Sequence, residues 1–376
     1  MKYYLIAGEA SGDLHGANLL KGILKHDSQA EFRFWGGDAM ASVGGESSLA
    51  KHYKEASFFG ISEIIMNLRT IFAQIKECKK DVLDFKPDVL ILIDYPGFNF
   101  RMAKFAHLKG IKTFYYISPK VWAWKESRVK LIRKYVDKLF IIFPFEREYF
   151  AQRGIDAIYK GNPLVDAVSE KLEVLPSCKD FRAKWNLSED KPLVALLSGS
   201  RGSEINYNLP FMVELSREFE GYEFVVAGVS WLDKQLYDKY LEGSRVKFIC
   251  NDTQALVKYS DAAVVTSGTA TLETAIIGTP ELVCYRTSAL TANIAKLVLK
   301  IKYISLVNII MDAPVVRELI QWDMTLENAK DELRAILPGG EKHDKMMQDF
   351  ELLREQMGER GASERFAEAM VEILKS

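Results

Sequence analysis

Long apolar runs are missing from this chain of 376 residues. The longest, near Leu139–Phe145, falls far below the ~20 residues that a membrane-spanning helix needs. Met1–Gly8 holds one basic residue and a short apolar run that leads into a glycine turn, without the apolar stretch and cleavage site of a signal peptide. Cysteine is scarce. Cys78, Cys178, Cys250 and Cys284 lie far apart and none forms a Cys-x-x-Cys pair, which argues against a zinc ribbon and a disulfide framework and favours a reduced, cytoplasmic compartment. There is almost no net charge: 50 Lys and Arg against 51 Asp and Glu give −1, unlike a dedicated nucleic-acid binder. The five histidines, at 15, 26, 52, 107 and 343, do not cluster. No Asp-x-Asp, Gly-x-Ser-x-Gly or Walker lysine loop occurs, and no short repeat or low-complexity segment.

What is present is an ordinary globular composition, 48% apolar and 27% charged, at a length that suggests two domains. Short apolar runs alternate with amphipathic stretches. Tyr3–Ala7, Val89–Ile93, Thr113–Ile117 and Lys138–Phe143 read as strands, with helices over Gly16–Lys25 and Arg101–Lys109. Around Val165–Lys191 polar and charged sequence replaces the alternation and reads as a linker. The pattern then restarts with strands at Leu193–Leu197, Glu223–Val226, Lys247–Cys250, Ala262–Thr266 and Glu281–Cys284. This alternation predicts α/β architecture, with parallel sheets covered by helices on both faces. The expected division is 1–165, 166–345 and a charged helical segment over 346–376. Ligands of such sheets sit beyond the carboxyl ends of the strands, and two such domains facing each other would form one cleft.

The unusual residues lie at those ends. Ala7–Gly16 follows the first strand; its glycines permit close ligand approach, and Glu9 and Asp13 suit a hydroxyl-rich ligand better than a diphosphate. A structural turn capped by Asp13 is the alternative. Asp94 ends an apolar strand, where a carboxylate is costly unless paired or at a site; the alternative is an Asx-turn onto Pro96-Gly97. Ser118-Pro-Lys-Val-Trp-Ala-Trp124 places two tryptophans in a loop, suited to stacking on sugars or covering apolar chains, or else to packing on the core. Between Lys120 and Lys138 stand seven basic residues against two acidic ones. They read as a solvated helix face or as an attractor of anionic head groups. Ser198–Glu204 exposes backbone N–H groups beside Arg201, a phosphate site or a plain turn. Thr266–Glu273 opens a helix expected to end at Gly278, with Ser267, Gly268, Thr269 and Ala270 at an anion-receptive N-terminus. Glu273, one turn in, is placed to hold vicinal hydroxyls.

Together with Phe143-Pro-Phe-Glu146, Tyr285-Arg286 and Tyr303–Asn308, these co-linear motifs resemble the lipid-A-disaccharide synthases over essentially the whole chain. The resemblance implies a GT-B glycosyltransferase, with two Rossmann-like doubly wound domains facing a cleft and a C-terminal helical segment. It implies transfer of 2,3-diacylglucosamine from UDP to 2,3-diacylglucosamine 1-phosphate with inversion, no metal and no cofactor. It further implies a homodimer with exchanged C-terminal segments and peripheral attachment to the inner membrane. Gly97 stands where many relatives carry a second carboxylate, which leaves Asp94 in that turn.

The mechanism expected from these residues has Asp94 as general base, with Asp13 as the other candidate. Arg201 stabilises the departing diphosphate. Gly199, Ser200, Arg201, Ser267, Gly268, Thr269, Ala270, Glu273 and Asn308 are expected to hold the UDP-sugar. Ser11, Gly12, Asn99, Ser118, Trp122, Met66 and Phe72 are expected toward the acceptor and its lipid. Phe72 belongs to a stripe with Ile61, Ile64, Ile65, Leu68, Ile71 and Ile75, and Met66 lies off it; the segment either faces the core or docks in part on the inner leaflet. Other readings are a UDP-sugar epimerase, another UDP-N-acetylglucosamine transferase of the same fold, and a non-catalytic nucleotide-binding protein at the membrane surface.

Overall fold

The computed structural model describes residues 1–56, 68–289, 291–293 and 301–376. The chain divides into two compact units. The first comprises Met1–Asp166 with Gly358–Ser376, and the second Ala167–Met357.

In the first unit the strands are β1 (Lys2–Ala7), β2 (Glu31–Gly36), β3 (Leu49–His52), β4 (Val89–Ile93), β5 (Lys112–Tyr116), β6 (Lys138–Ile141) and β7 (Ala157–Tyr159). They pair in parallel in the order β3-β2-β1-β4-β5-β6-β7. The order of the strands reverses between β1 and β4, where Ala7 lies opposite Ile93. The central strands β1 and β4 are buried on both faces, and alternate residues of the sheet feed two cores. Tyr3 and Leu5 join one with the helix Ala10–His26; Tyr4 and Ile6 join the other with the helix Pro96–Leu108.

The second unit repeats the plan with β8 (Leu193–Leu197), β9 (Glu223–Gly228), β10 (Lys247–Cys250), β11 (Ala262–Thr266), β12 (Glu281–Tyr285) and β13 (Glu318–Ile320). Their order is β10-β9-β8-β11-β12-β13, again parallel. Its reversal lies between β8 and β11. Both sheets are therefore doubly wound and Rossmann-like, and in such sheets ligands bind outside the carboxyl ends of the strands at the reversal.

Several local expectations are corrected. The first helix begins at Ala10 rather than Gly16, because the chain leaves β1 through only Gly8 and Glu9. Ser11, Gly12 and Asp13 are thus helical. The stretch read as a linker contains two helices, Pro163–Glu173 and Cys178–Lys184, the second capped by the Ser177 hydroxyl. Residues 346–357 belong to the helix His343–Met357 of the second unit. Only the following segment returns to the first unit. There the helix Ala362–Lys375 packs on its own chain: Phe366 meets Tyr116 and Phe140 edge-on at 5.2 and 6.1 Å. A Cβ on Gly22 would lie 2.7 Å from that of Ala367, so glycine permits this close approach. Asp166 fastens the returning chain by accepting the N–H groups of Gly361, Ala362 and Ser363 at 2.7, 3.2 and 2.9 Å.

Candidate functional site

In the first unit, Asp94 follows the fully buried Val-Leu-Ile-Leu-Ile of β4. Asp94 and Tyr95 both have left-handed backbones, φ +41 and +46°, and Ile117 at the end of β5 has φ +63°. Such non-glycine conformations cost roughly 1–3 kcal/mol each and persist only where surrounding contacts impose them. The contacts are visible. The Asp94 N–H donates to the Tyr116 carbonyl at 3.1 Å. The Asp94 carbonyl accepts from the Tyr115 hydroxyl at 2.6 Å and from Asn99 Nδ2 at 2.8 Å. Asn99 also donates to the Ile93 carbonyl at 3.2 Å. The Tyr95 ring stacks on Phe98 at 5.6 Å and lies where a Cβ on Gly8 would meet it at 2.3 Å. The backbone of Asp94 is held while its carboxyl group sits at the sheet's reversal. Burial pushes that carboxyl up to about 6, Glu9 pushes in the same sense, and Lys120 and the Tyr95 N–H oppose it. A carboxylate poised near neutrality is suited to general-base work.

The neighbouring Trp122 has a fixed position. Its Nε1–H donates to Glu146 Oε1 at 3.0 Å, and its ring meets Phe145 edge-on at 5.0 Å. Glu146 is fully buried and also accepts the Phe143 N–H at 3.1 Å; burial raises its carboxyl to about 7. Trp124 is exposed, with the Lys125 ammonium 4.2 Å from its ring centroid.

Other first-unit expectations change. Asp13 is buried, and its carboxylate accepts the N–H groups of Gly37, Ala39 and Met40 at 2.7, 3.0 and 3.1 Å. It caps the helix Asp38–Gly44 from another element, a structural engagement that Asp94 does not share. Asn99 is fully buried, so it supports the Asp94 turn rather than touching an acceptor. Ser118 is buried with its hydroxyl on the Pro119 carbonyl at 3.2 Å. Gly12 packs its helix closely on the sheet, with Ala7 Cβ 3.3 Å from a would-be Cβ. Ser11 is exposed and donates to Glu9 at 2.6 Å. On the helix Leu68–Phe85, Ile75 is core, Ile71 packs against that core, and Phe72 is 59% exposed. Ile71 and Phe72 are therefore not on one buried stripe. Met66, with Ile61, Ile64 and Ile65, lies outside the described residues.

In the second unit, β8 leads into Ser198 and then Gly199, whose φ of +111° suits glycine. The Ser200 and Arg201 N–H groups, read from sequence as phosphate donors, here donate to Glu204 Oε2 at 2.9 and 3.3 Å. Glu204 Oε1 pairs with Arg201 Nη1 at 3.2 Å, and the Arg201 side chain is 74% exposed. Glu204 thus holds an anion seat at the start of the helix Gly202–Ser216. Pattern reading had no signal for it beyond its position three residues after Arg201.

After β11, Ser267 donates to the Ile304 carbonyl at 3.0 Å. Gly268 and Thr269 are exposed and Ala270 is half-buried at the start of the helix Thr269–Ile277. Among the described residues, and its own chain neighbours aside, no heavy atom lies within 4 Å of a Cβ placed on Gly268, which leaves this N-terminus space for an anion. Glu273 is half-buried and accepts from Gln254 Nε2 at 2.7 Å; burial raises its carboxyl above the usual range. Asn308 is corrected. It is buried, donates to the Val316 carbonyl and Glu318 at 2.8 and 3.0 Å, and accepts the Val316 N–H at 2.9 Å. Its amide shapes the segment beneath Ser267 rather than reaching a ligand. The exposed Trp231, which sequence reading passed over, donates its Nε1–H to the Ser200 carbonyl at 3.2 Å.

Solved structures share this fold. A UDP-GlcNAc 2-epimerase from Neisseria meningitidis bound to UDP-GlcNAc matches at TM-score 0.68 and 15% identity, over 99% of this chain and 100% of that one. A sucrose-phosphate synthase from Thermosynechococcus elongatus matches at 0.56 and 12%, over 100% and 98%. The architecture is the two-domain Rossmann-like class called GT-B. Sequence relatives narrow it. The lipid-A-disaccharide synthase of Myxococcus xanthus is 38% identical over 98% of this chain and 97% of its own length. That of Syntrophus aciditrophicus is 36% identical over 99% and 97%. The lipid-A-disaccharide synthetase family pattern matches residues 3–373, and the chain belongs to this family of glycosyltransferases.

Proposed function

We propose that Asp94 is the general base of an inverting transfer, and that the loops after β8 and β11 receive the leaving UDP. The donor is UDP-2,3-diacylglucosamine and the acceptor 2,3-diacylglucosamine 1-phosphate. The acceptor's 6-hydroxyl oxygen attacks C1 of the donor sugar. Its proton passes to Asp94, the C1–O bond breaks, and UDP leaves with the electron pair. The product is a β-1,6-linked disaccharide 1-phosphate. Arg201 and the open N-terminus of the helix Thr269–Ile277 stabilise the departing diphosphate. Glu273 holds the ribose hydroxyls. The observation that carries this reading is the strained, near-neutral Asp94 at one sheet reversal, matched by an exposed arginine and an open helix N-terminus at the other.

The test is incubation with both substrates and detection of the disaccharide by mass spectrometry. Isomerised UDP-sugar formed without acceptor would instead support an epimerase, and UDP binding without turnover would support a non-catalytic protein. The reading includes a homodimer, on the family resemblance alone. It also includes docking on the inner leaflet. No helix among the described residues is long and apolar enough to cross a membrane. Exposed Phe72 and Trp124 and the basic residues of Lys120–Lys138 supply the apolar and cationic contacts for peripheral attachment. Phe72→Ser should reduce co-sedimentation with anionic liposomes without lowering the melting temperature.

A further inference from the structure

Trp231 stands beside the loop that carries Arg201, and the mechanism leaves it unused. It follows β9, and the sheet order places the end of β9 between the ends of β8 and β10. Its indole is 70% exposed, so it contributes little to the core. Yet it is tethered: Nε1–H donates to the carbonyl of Ser200, in the loop that carries Arg201. The segment around it is also fixed. The Leu232 N–H donates to the Val229 carbonyl at 3.3 Å, and the Val229 N–H to the hydroxyl of the buried Tyr237, also at 3.3 Å. Gln254, the partner of Glu273, stands in the helix that follows β10. A nucleoside whose ribose lies at Glu273 and whose phosphates lie near Arg201 has its base in the region of these strand ends.

An exposed indole fixed by its only polar atom offers a flat apolar face at low conformational cost. We propose that Trp231 is the stacking face for the nucleobase of the UDP donor. This inference rests on the reading of the second unit as the UDP site. Aromatic stacking on a base is worth about tenfold or more in affinity.

The experiment is calorimetric titration of the full chain with UDP and, separately, with inorganic pyrophosphate. UDP lacks the glucosamine and its acyl chains, so its binding reports on the nucleoside and the diphosphate alone. Trp231→Ala should weaken UDP binding about tenfold or more and leave pyrophosphate binding unchanged, while Trp231→Phe stays within about threefold of wild type. Unchanged UDP binding by Trp231→Ala would overturn the proposal. Equal weakening of UDP and pyrophosphate would also overturn it, showing that the indole only anchors the Ser200 loop. If wild-type protein bound pyrophosphate but not UDP, the UDP-site reading would fall, and the role of Trp231 with it.

Discussion

Asp94→Asn should lower activity and raise stability together, which few substitutions do. Asparagine keeps the side chain's shape and is among the residues that tolerate φ near +41°, so the turn should survive. The carboxyl rests at about 6, above an ordinary aspartate near 3.9, mainly through burial and then through Glu9. The folded state therefore binds the proton more tightly than the unfolded chain does. Stability from this group is fully present below pH ~4 and is lost as pH rises through about 6. A displacement of roughly two pK steps corresponds to about 3 kcal/mol, and to about half that once solvent screening of a partly open group is counted. At pH 8 the neutral amide should recover that deficit, raising Tm by about 2–6 °C. Turnover should fall by ~10²–10⁴ with loss of the base. In wild type, kcat/KM should rise about tenfold from pH 5 to 7.5 as Asp94 ionises, then level off. Glu9→Gln removes a charge that raises Asp94, so its acid limb should move to lower pH. The assay pairs a pH–rate profile with thermal melts at pH 5 and 8. Near-wild-type turnover, or a lower Tm at pH 8, would refute the reasoning.

Asp13→Asn should lower Tm with kcat nearly unchanged, because three backbone donors lose a charged acceptor worth about 1–3 kcal/mol in all; melting and steady-state kinetics separate the two. Arg201→Ala should depress kcat through lost charge stabilisation of the leaving diphosphate, whereas Glu273→Gln should raise donor KM more than it lowers kcat. An unchanged donor KM in Glu273→Gln would remove the ribose role. Phe366→Ala should cost about 3–5 kcal/mol by denaturant unfolding, since the ring is fully buried between Tyr116, Phe140 and the first helix.

The alternation of apolar strands with helical stretches was enough to establish two α/β domains, because strands buried on both faces leave continuous apolar runs such as Val89–Ile93 and Leu193–Leu197. It also placed Asp94 and Arg201 just after strands and Glu273 one turn into the helix that follows another, where that architecture puts ligands. Strands with little apolar contrast escaped it: Leu49–His52 and Ala157–Tyr159 are short edge strands whose existence depends on their partners. Local pattern could not divide equally plausible carboxylates. Asp13 and Asp94 look alike in sequence, and only the tertiary structure brings the backbone of residues 37–40 onto the first and leaves the second in a strained turn beside Glu9 and Lys120. The same holds for Asn99, whose Nδ2 is taken by the Ile93 and Asp94 carbonyls, and for Asn308, whose amide bonds the Val316 backbone and Glu318; only the fold aligns these partners. Periodicity reports which face of an element is apolar; which polar group finds a partner depends on distances between elements, and those are decided when the sheets and helices pack.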